Sequence, residues 1–385
     1  MDAILMSEPP RTASDLKATQ TSALALGCLA LLMLGVQPLI LGALATAGRL
    51  DVQLLGLAAM IEMLTLGIVS GAMGALVPHR NLVSWGAGGI VVLVASNLAC
   101  MEASGLGIVT LRGLSGAAGG ALVWIAAGVI GRSRAALRLS GIFSGAQALT
   151  QALLAALIPL GAPVLGANSG FALLALAGTL CLAFLFGIPR TLADLPAPEE
   201  GHARLSRPGL LGLGGAFFLM AGIVGVWVFV EQIATQHGIA SGTISLAIAG
   251  SLAMQIVAAA FITWCGPRAR PVIALPLICA AYIACLAVMA VTANHVLFVA
   301  AILLFGFLWT SSLPLFLPLL IAVDPTRRSA MLLAGAQLLG GSAGPMITGL
   351  LATDANLSPV TACGAGLFVI SALCVILAAA VKSRP

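Results

Sequence analysis

Long apolar runs alternate with short polar connections along the whole chain of 385 residues. Each run has about 20 residues or more, enough for an α-helix to cross a hydrocarbon core of roughly 30 Å. A dry core offers no water to backbone N–H and C=O groups, so such runs predict helices, which satisfy these groups internally. The pattern predicts twelve spans, near residues 22–47, 53–77, 82–101, 105–131, 137–160, 168–188, 209–233, 241–265, 270–291, 294–323, 328–352 and 357–381.

Composition agrees with this pattern, because 61% of the residues are hydrophobic and only 8% are charged. A soluble domain carries far more charge, so the sequence predicts an all-α membrane protein. Fifteen of the seventeen Lys and Arg residues fall on one side if the N-terminus is inside. Basic residues are retained on the cytoplasmic side, which predicts an inner (plasma) membrane protein with both termini in the cytoplasm. The net charge of +5 is therefore a topology signal and no indication of nucleic-acid binding.

The longest polar connection, "RTLADLPAPEEGHARLSRP" at 190–208, falls between the sixth and seventh spans. It divides the chain into a predicted N-terminal six-helix bundle (1–189), a cytoplasmic linker (190–208) and a C-terminal six-helix bundle (209–385). An internal repeat supports this division, since "SGAQAL" at 144–149 and "AGAQLL" at 334–339 are 190 residues apart. Parallel repeats of this kind are one plan of secondary transporters, which bind their solute between the halves.

Two further stretches resemble the major facilitator superfamily (MFS). "RGLSGAAGGA" at 112–121 is similar to a fourth-helix pattern of proton-coupled members, an arginine followed by spaced small residues. "GAQLLGGSAGPMITG" at 335–349 resembles the glycine-proline pattern typical of antiporters, although here it lies in the eleventh span and not the fifth. The resemblance covers essentially the full length and implies twelve transmembrane helices in two pseudo-symmetric six-helix bundles.

Two charged residues lie deep within predicted spans. Glu62 is about nine residues into the second span, or roughly 14 Å at 1.5 Å per residue, and Arg112 lies roughly 10 Å deep in the fourth. Intramembrane charges are costly and usually functional, so we expect the two groups to communicate, directly or through a bound species. A carboxyl group can take up or release a proton when its access or its distance from a cation changes. A permanent ion pair that fixes helix packing is the alternative.

The helix geometry of the second span separates Glu62 from a row of small residues. At about 100° per residue, Gly67, Gly71 and Gly74 cluster on the opposite side, so we expect these glycines to make the close helix contact. Glu231, near the outer end of the seventh span, is interpreted either as a surface carboxylate or as a gate or secondary proton site.

Other candidates are implied mainly by the resemblance, in which the first, fourth, seventh and tenth helices line the central cavity with the second, fifth, eighth and eleventh beside them. These helices contain polar or aromatic side chains that could contact a solute or simply bond between helices. Together with Arg112, the candidate solute contacts are Gln37, Trp124, Gln147, Gln151, Trp227, Gln255, Trp309 and Gln337. Prolines remove backbone hydrogen bonds and suit a gate, for which the candidates are Pro314, Pro318, Gly344 and Pro345.

The sequence favours a secondary active transporter that moves a small organic solute by alternating access and couples this movement to protons. The compact loops and antiporter-like motifs favour export. The alternative is a proton-symport importer of an organic anion, such as a carboxylate or aromatic acid, held by Arg112. An enzyme is disfavoured because the four histidines lie in or near connections and no catalytic set or metal spacing appears. We expect a monomer with a small-molecule substrate, protons and the lipid bilayer as partners, and without cofactor, metal or nucleic acid.

Overall fold

The computed structural model describes residues 13–78, 80–133, 136–192, 205–265, 269–292, 294–324 and 328–382. Thirteen helices account for most of them. They are α1 (Ala13–Thr46), α2 (Val52–Leu76), α3 (Leu82–Cys100), α4 (Leu106–Gly131), α5 (Ala136–Leu165), α6 (Ser169–Cys181), α7 (Arg207–Trp227), α8 (Val230–Gln236), α9 (Ser241–Cys265), α10 (Pro271–Val291), α11 (His295–Val323), α12 (Arg328–Leu351) and α13 (Ser358–Lys382).

The described helices include eleven stretches long and apolar enough to cross a membrane. One of them, Arg138–Gly187, has 50 residues and contains both α5 and α6, so it provides two crossings. The twelve predicted spans therefore correspond to α1–α7 and α9–α13, with α8 continuing α7. The first helix begins at Ala13 and not near residue 22, because a helix needs no apolar side chains where it leaves the membrane. Most of the predicted linker, residues 193–204, lies outside the described residues.

Helices α2 and α4 pack with their backbones in contact. A Cβ on Gly116 of α4 would collide with the backbone oxygen of Glu62, and one on Gly120 would lie 2.6 Å from the backbone oxygen of Leu66. Small residues allow this approach between membrane helices, which associate through packing and not through the hydrophobic effect. The close contact is thus supplied by glycines of α4.

The expectation that the glycines of α2 make this contact is wrong. A Cβ on Gly71 would have nothing within 4 Å, and those on Gly67 and Gly74 would meet only side-chain atoms, at 3.8 and 3.9 Å. The periodicity of α2 gives the side on which its glycines lie. Which side makes the close contact with α4, however, also depends on the side chains that α4 presents. Because α4 presents glycines, α2 can place the bulkier side, with Glu62, against it.

A similar contact recurs in the C-terminal half, at a glycine 190 residues after Gly116. A Cβ on Gly306 of α11 would collide with the backbone oxygen of Ser251 of α9. The Ser251 hydroxyl donates to the Ile302 carbonyl at 2.9 Å, much as the Thr65 hydroxyl of α2 donates to the Gly113 carbonyl at 2.8 Å. The α2–α4 and α9–α11 pairs are therefore built on one packing plan.

A break between α7 and α8 has a local cause. The Gly225 carbonyl accepts a hydrogen bond of 2.9 Å from the Thr348 hydroxyl of α12, which takes the place of a helical N–H donor. The amide of Phe229, which would be that donor in a regular helix, instead bonds to the Val226 carbonyl at 3.0 Å. A Cβ on Gly344 would collide with the backbone of Ala221, so α7 and α12 lie close enough for this exchange.

Arg49 joins three connections at one end of the N-terminal half. Its Nη1 donates to Oδ1 of Asn168 at 2.7 Å, and its Nη2 donates to the carbonyls of Cys100 and Ala103 at 2.6 and 2.5 Å. The amide of Gly105 returns a bond to the Arg49 carbonyl at 2.9 Å. A cation at the C-terminal end of α3 also complements the partial negative charge of its last carbonyls.

The helix contact at Gly116 predicts a stability effect. Gly116→Ala should lower the free energy of unfolding by about 1–3 kcal/mol, because the added methyl group forces α2 and α4 apart. The measurement is the thermal unfolding midpoint of the purified protein in detergent. Gly141→Ala in α5 is the matched control, since Gly141 is exposed and its Cβ would meet nothing within 4 Å. Equal midpoints for Gly116→Ala and the unchanged protein would contradict the backbone contact.

Candidate functional site

Glu62 and Arg112 face each other inside the N-terminal half. Nη1 of Arg112 donates to Oε1 of Glu62 at 3.2 Å, and the two side chains are 1% and 9% exposed, respectively. The Gly116 contact, one turn after Arg112, brings the α2 backbone close enough for this pairing. Since water is excluded, the attraction between the two charges is much stronger than at a surface.

The remaining bonds of Arg112 come from its own half of the protein. Nη2 donates to Oδ1 of Asn97 on α3 at 2.7 Å and to Oγ of Ser115 at 2.8 Å. The ring centroid of Phe171 on α6 lies 5.3 Å from Cζ, within range of a cation–π interaction. Together with Glu62, these contacts surround the guanidinium with partners from α2, α3, α4 and α6. The charge of the cation is therefore balanced by Glu62 without a solute.

Several polar atoms around this pair have no hydrogen-bond partner among the described residues. They are Oε2 of Glu62, Nε of Arg112 and both amide atoms of Gln37 on α1. The Gln37 side chain nevertheless lies close enough to the Glu62 carboxyl to interact with it electrostatically. Buried polar atoms of this kind each cost about 1–3 kcal/mol when unpaired. Three side chains thus offer donors and acceptors around one carboxyl group.

A separate cavity of about 230 Å³, here called the central cavity, lies between the two halves. It is bounded by α1 and α5 on one side and by α7, α9 and α11 on the other. Its lining residues are Leu34, Ser144, Gln147, Ala148, Gln151, Met220, Gln255, Ala259, Trp309, Thr310, Leu313 and Pro314. Amides and hydroxyls from both halves therefore face one space.

Two of these amides are held in position by hydrogen bonds. Nε2 of Gln151 donates to the Leu31 carbonyl at 2.7 Å, and Oε1 of Gln255 accepts a bond from the Thr310 hydroxyl at 3.4 Å. Within the described residues, no bond uses Oε1 of Gln151 or Nε2 of Gln255. An acceptor from one half and a donor from the other thus remain for a bound molecule.

Trp227 joins the two halves. Its indole N–H donates to the Gly35 carbonyl at 3.2 Å, a hydrogen bond from the C-terminal to the N-terminal half. The indole is fully buried, stacks on Phe305 at 6.4 Å and meets Trp309 edge to face at 5.7 Å. In this conformation Trp227 packs with Phe305 and Trp309 in a layer that is here called the Trp227 layer. Its own side chain does not line the central cavity.

A second cavity of about 660 Å³ lies beyond this layer and is here called the distal cavity. It is lined by later residues of α1 and α5 and by residues of α8 and α9, among them Glu231. Oε2 of Glu231 is buried and has no hydrogen-bond partner among the described residues. The side chain lies over Gly42, where an added Cβ would be 2.5 Å from this oxygen. The carboxylate is therefore no ordinary surface charge.

The structure brings some of the candidate residues together and separates others. Gln147, Gln151, Gln255, Trp309 and Pro314 line the central cavity, whereas Gln37 lies beside the Glu62–Arg112 pair. The remaining candidates lie elsewhere. Trp124 is buried in the apolar core of the N-terminal half, and Pro318 lies within α11. On α12, Gln337 is half-buried, and Gly344 and Pro345 pack against neighbouring helices.

Two residues of the charge cluster were missed by reasoning from the sequence. Asn97 is a lone amide within a predicted span and therefore requires a partner, which proves to be Arg112. Phe171 gave no signal, because nothing in the sequence shows that its ring faces a cation on another helix.

No family model matches the chain, and no curated protein matches its sequence. Solved structures do match it in fold. A mutant of the nucleoside transporter NupG aligns with a TM-score of 0.68 and 13% identity, covering 94% of this chain and 99% of that chain. The human organic anion transporter MFSD10 (TETRAN) aligns with a TM-score of 0.64 and 15% identity, covering 96% and 100%.

A bacterial homolog of the human lysosomal transporter Spinster, in an inward-facing and occupied conformation, aligns with a TM-score of 0.61 and 16% identity, covering 98% of both chains. At such identities the likeness shows the fold alone. These neighbours are MFS transporters, and the helices described above follow the same architecture. The chain is therefore a multi-pass membrane protein with the major facilitator superfamily fold.

Proposed function

We propose that the protein is a secondary active transporter of the major facilitator superfamily, which moves a small organic solute by alternating access and couples this movement to protons through Glu62 and Arg112. The observation that carries the proposal is a buried carboxyl–guanidinium pair in one half, combined with a polar cavity shared by both halves. Export by proton antiport is the preferred direction, as the antiporter-like motifs suggest.

The position of the cavities supports alternating access. The central and distal cavities lie on opposite sides of the Trp227 layer, and both are bounded by helices of the two halves. Rocking of one half against the other changes the gaps between these helices, so that one cavity can open as the other closes. The Trp227–Gly35 bond joins the halves between the two cavities and has to break when the layer opens.

The C-terminal half provides an internal comparison for the charge pair. Gly306 packs against Ser251 as Gly116 packs against Glu62, and the position 190 residues after Arg112 is Ile302. Ser251 and Ile302 are uncharged and are 0% and 1% exposed, respectively. They lie in α9 and α11, which pack through Gly306 as α2 and α4 pack through Gly116. This helix pair therefore forms without charges, and buried ion pairs are in general no more stabilising than apolar residues of similar size. The comparison favours a functional role for the pair.

The pair is also connected to the boundary between the halves. Gly56 lies six residues before Glu62 on α2, and its Cβ would be 2.5 Å from the Pro345 carbonyl of α12 and 3.3 Å from Cα of Gly349. A proton on Glu62 removes its charge and weakens its bond to Arg112, while Asn97 and Ser115 still hold the guanidinium. We propose that the resulting shift of α2 reaches α12 through this contact. Glu231 in the distal cavity is a second candidate proton site.

Import of an organic anion is the second candidate, since one structural neighbour is an organic anion transporter. That mechanism requires Arg112 to face the solute. Arg112 is instead bonded to Glu62, Asn97 and Ser115 and does not line the central cavity. Antiport therefore fits the geometry better.

The coupling proposal predicts the effect of Glu62→Gln. In proteoliposomes with an imposed pH gradient, this variant should lose accumulation of solute against its gradient, because an amide cannot carry the proton. Movement down the solute gradient should persist. Glu102→Gln, which changes an exposed carboxyl between α3 and α4, is the control and should retain accumulation. Gradient-driven accumulation by Glu62→Gln would show that Glu62 does not couple protons.

A double substitution that removes both charges separates function from packing. Glu62→Leu with Arg112→Ile should leave the thermal midpoint equal or higher, because apolar residues replace a buried ion pair whose desolvation is costly. The variant should nevertheless lose proton-driven accumulation. A clear fall in the midpoint, by contrast, would indicate that the pair is retained for packing.

A further inference from the structure

The central cavity is polar but uncharged. Among the described residues that line it, five carry amides or hydroxyls, and none carries an acid or a base. These five are Ser144, Gln147, Gln151, Gln255 and Thr310. The rest of the lining, which includes Met220, Leu313 and Trp309, is apolar or aromatic. The cavity thus combines hydrogen-bonding groups with apolar surface and offers no counter-charge.

The charged groups of the neighbouring regions are committed elsewhere. Arg112 and Glu62 bond to each other in the N-terminal half, and Arg112 also has Asn97 and Ser115 as partners. Glu231 lines the distal cavity, beyond the Trp227 layer. An ion entering the central cavity would exchange its hydration for neutral amides and apolar side chains, which is strongly unfavourable for a charge without a partner.

A neutral solute meets a different environment. Oε1 of Gln151 is available as an acceptor and Nε2 of Gln255 as a donor, from opposite halves, while the other end of each amide is already hydrogen-bonded. A solute that bonds to both would bridge the halves. Trp309 and Met220 add an apolar wall, and a volume of about 230 Å³ admits only a small molecule.

We infer that the transported solute is small and uncharged, with hydrogen-bond donors and acceptors at its edge and one apolar face. This inference rests on the proposed transport function and specifies its substrate class. It sets aside the organic anion expected when Arg112 is considered alone.

The first test uses matched probes that share a ring and differ in charge. They are benzamide, benzoate and benzylamine, together with nicotinamide, nicotinate and 3-(aminomethyl)pyridine, at pH 7. Each is added to the purified full-length protein, and the thermal midpoint is followed against concentration, since a ligand of the folded state raises it. The neutral amides should bind at least about tenfold more tightly than their charged partners. Equal or tighter binding of a charged member, or no shift with either amide, would overturn the inference.

The second test creates the missing counter-charge. Gln255→Glu should reverse the order of the set, so that benzylamine and 3-(aminomethyl)pyridine bind more tightly than the amides. Gln53→Glu, at an exposed position in α2, is the matched control and should keep the original order. An unchanged order in folded Gln255→Glu protein would show that the probes bind elsewhere.

The transport function and the substrate class can be refuted separately. Selective binding of the amides without solute flux in proteoliposomes would remove the transport function and leave the binding preference. Flux of a charged solute that binds in competition with the amides would retain transport and overturn the substrate class.

Discussion

A charge inside a membrane has to be satisfied by the chain that carries it, and the N-terminal half is arranged around this constraint. Arg112 is surrounded by a carboxylate, an amide, a hydroxyl and an aromatic ring from four helices. These partners reach it because the glycines of α4 let α2 approach to backbone contact. Helix packing and electrostatics are thus linked at this site, because the glycines of α4 allow Glu62 to reach Arg112.

The two halves share a packing plan but differ in chemistry. Gly116 and Gly306 occupy corresponding positions, whereas the charge pair of the first half corresponds to buried, uncharged residues in the second. The proposed proton chemistry is therefore confined to one half, while the proposed solute site uses both. Coupling then requires mechanical contact, and one route runs from Glu62 along α2 to Gly56 and across to α12.

The sequence was sufficient to predict the helices and the two charges buried within them, because both follow from local rules. Apolar runs of membrane length predicted the spans, and the rarity of charge within them identified Glu62 and Arg112. Contacts between distant segments were not predictable in this way. The glycines of α2 were assigned to the wrong contact, since periodicity does not reveal the small residues of a partner. Likewise, Trp227 gave no sign of its bond to Gly35, 192 residues away.

Arg49 has a consequence for how the N-terminal half can move. Its side chain and backbone tie the α1–α2, α3–α4 and α5–α6 connections together through five hydrogen bonds. Helices clamped in this way at one end cannot splay apart individually there. Under the proposed transport function, the half would therefore tilt about this end as one body.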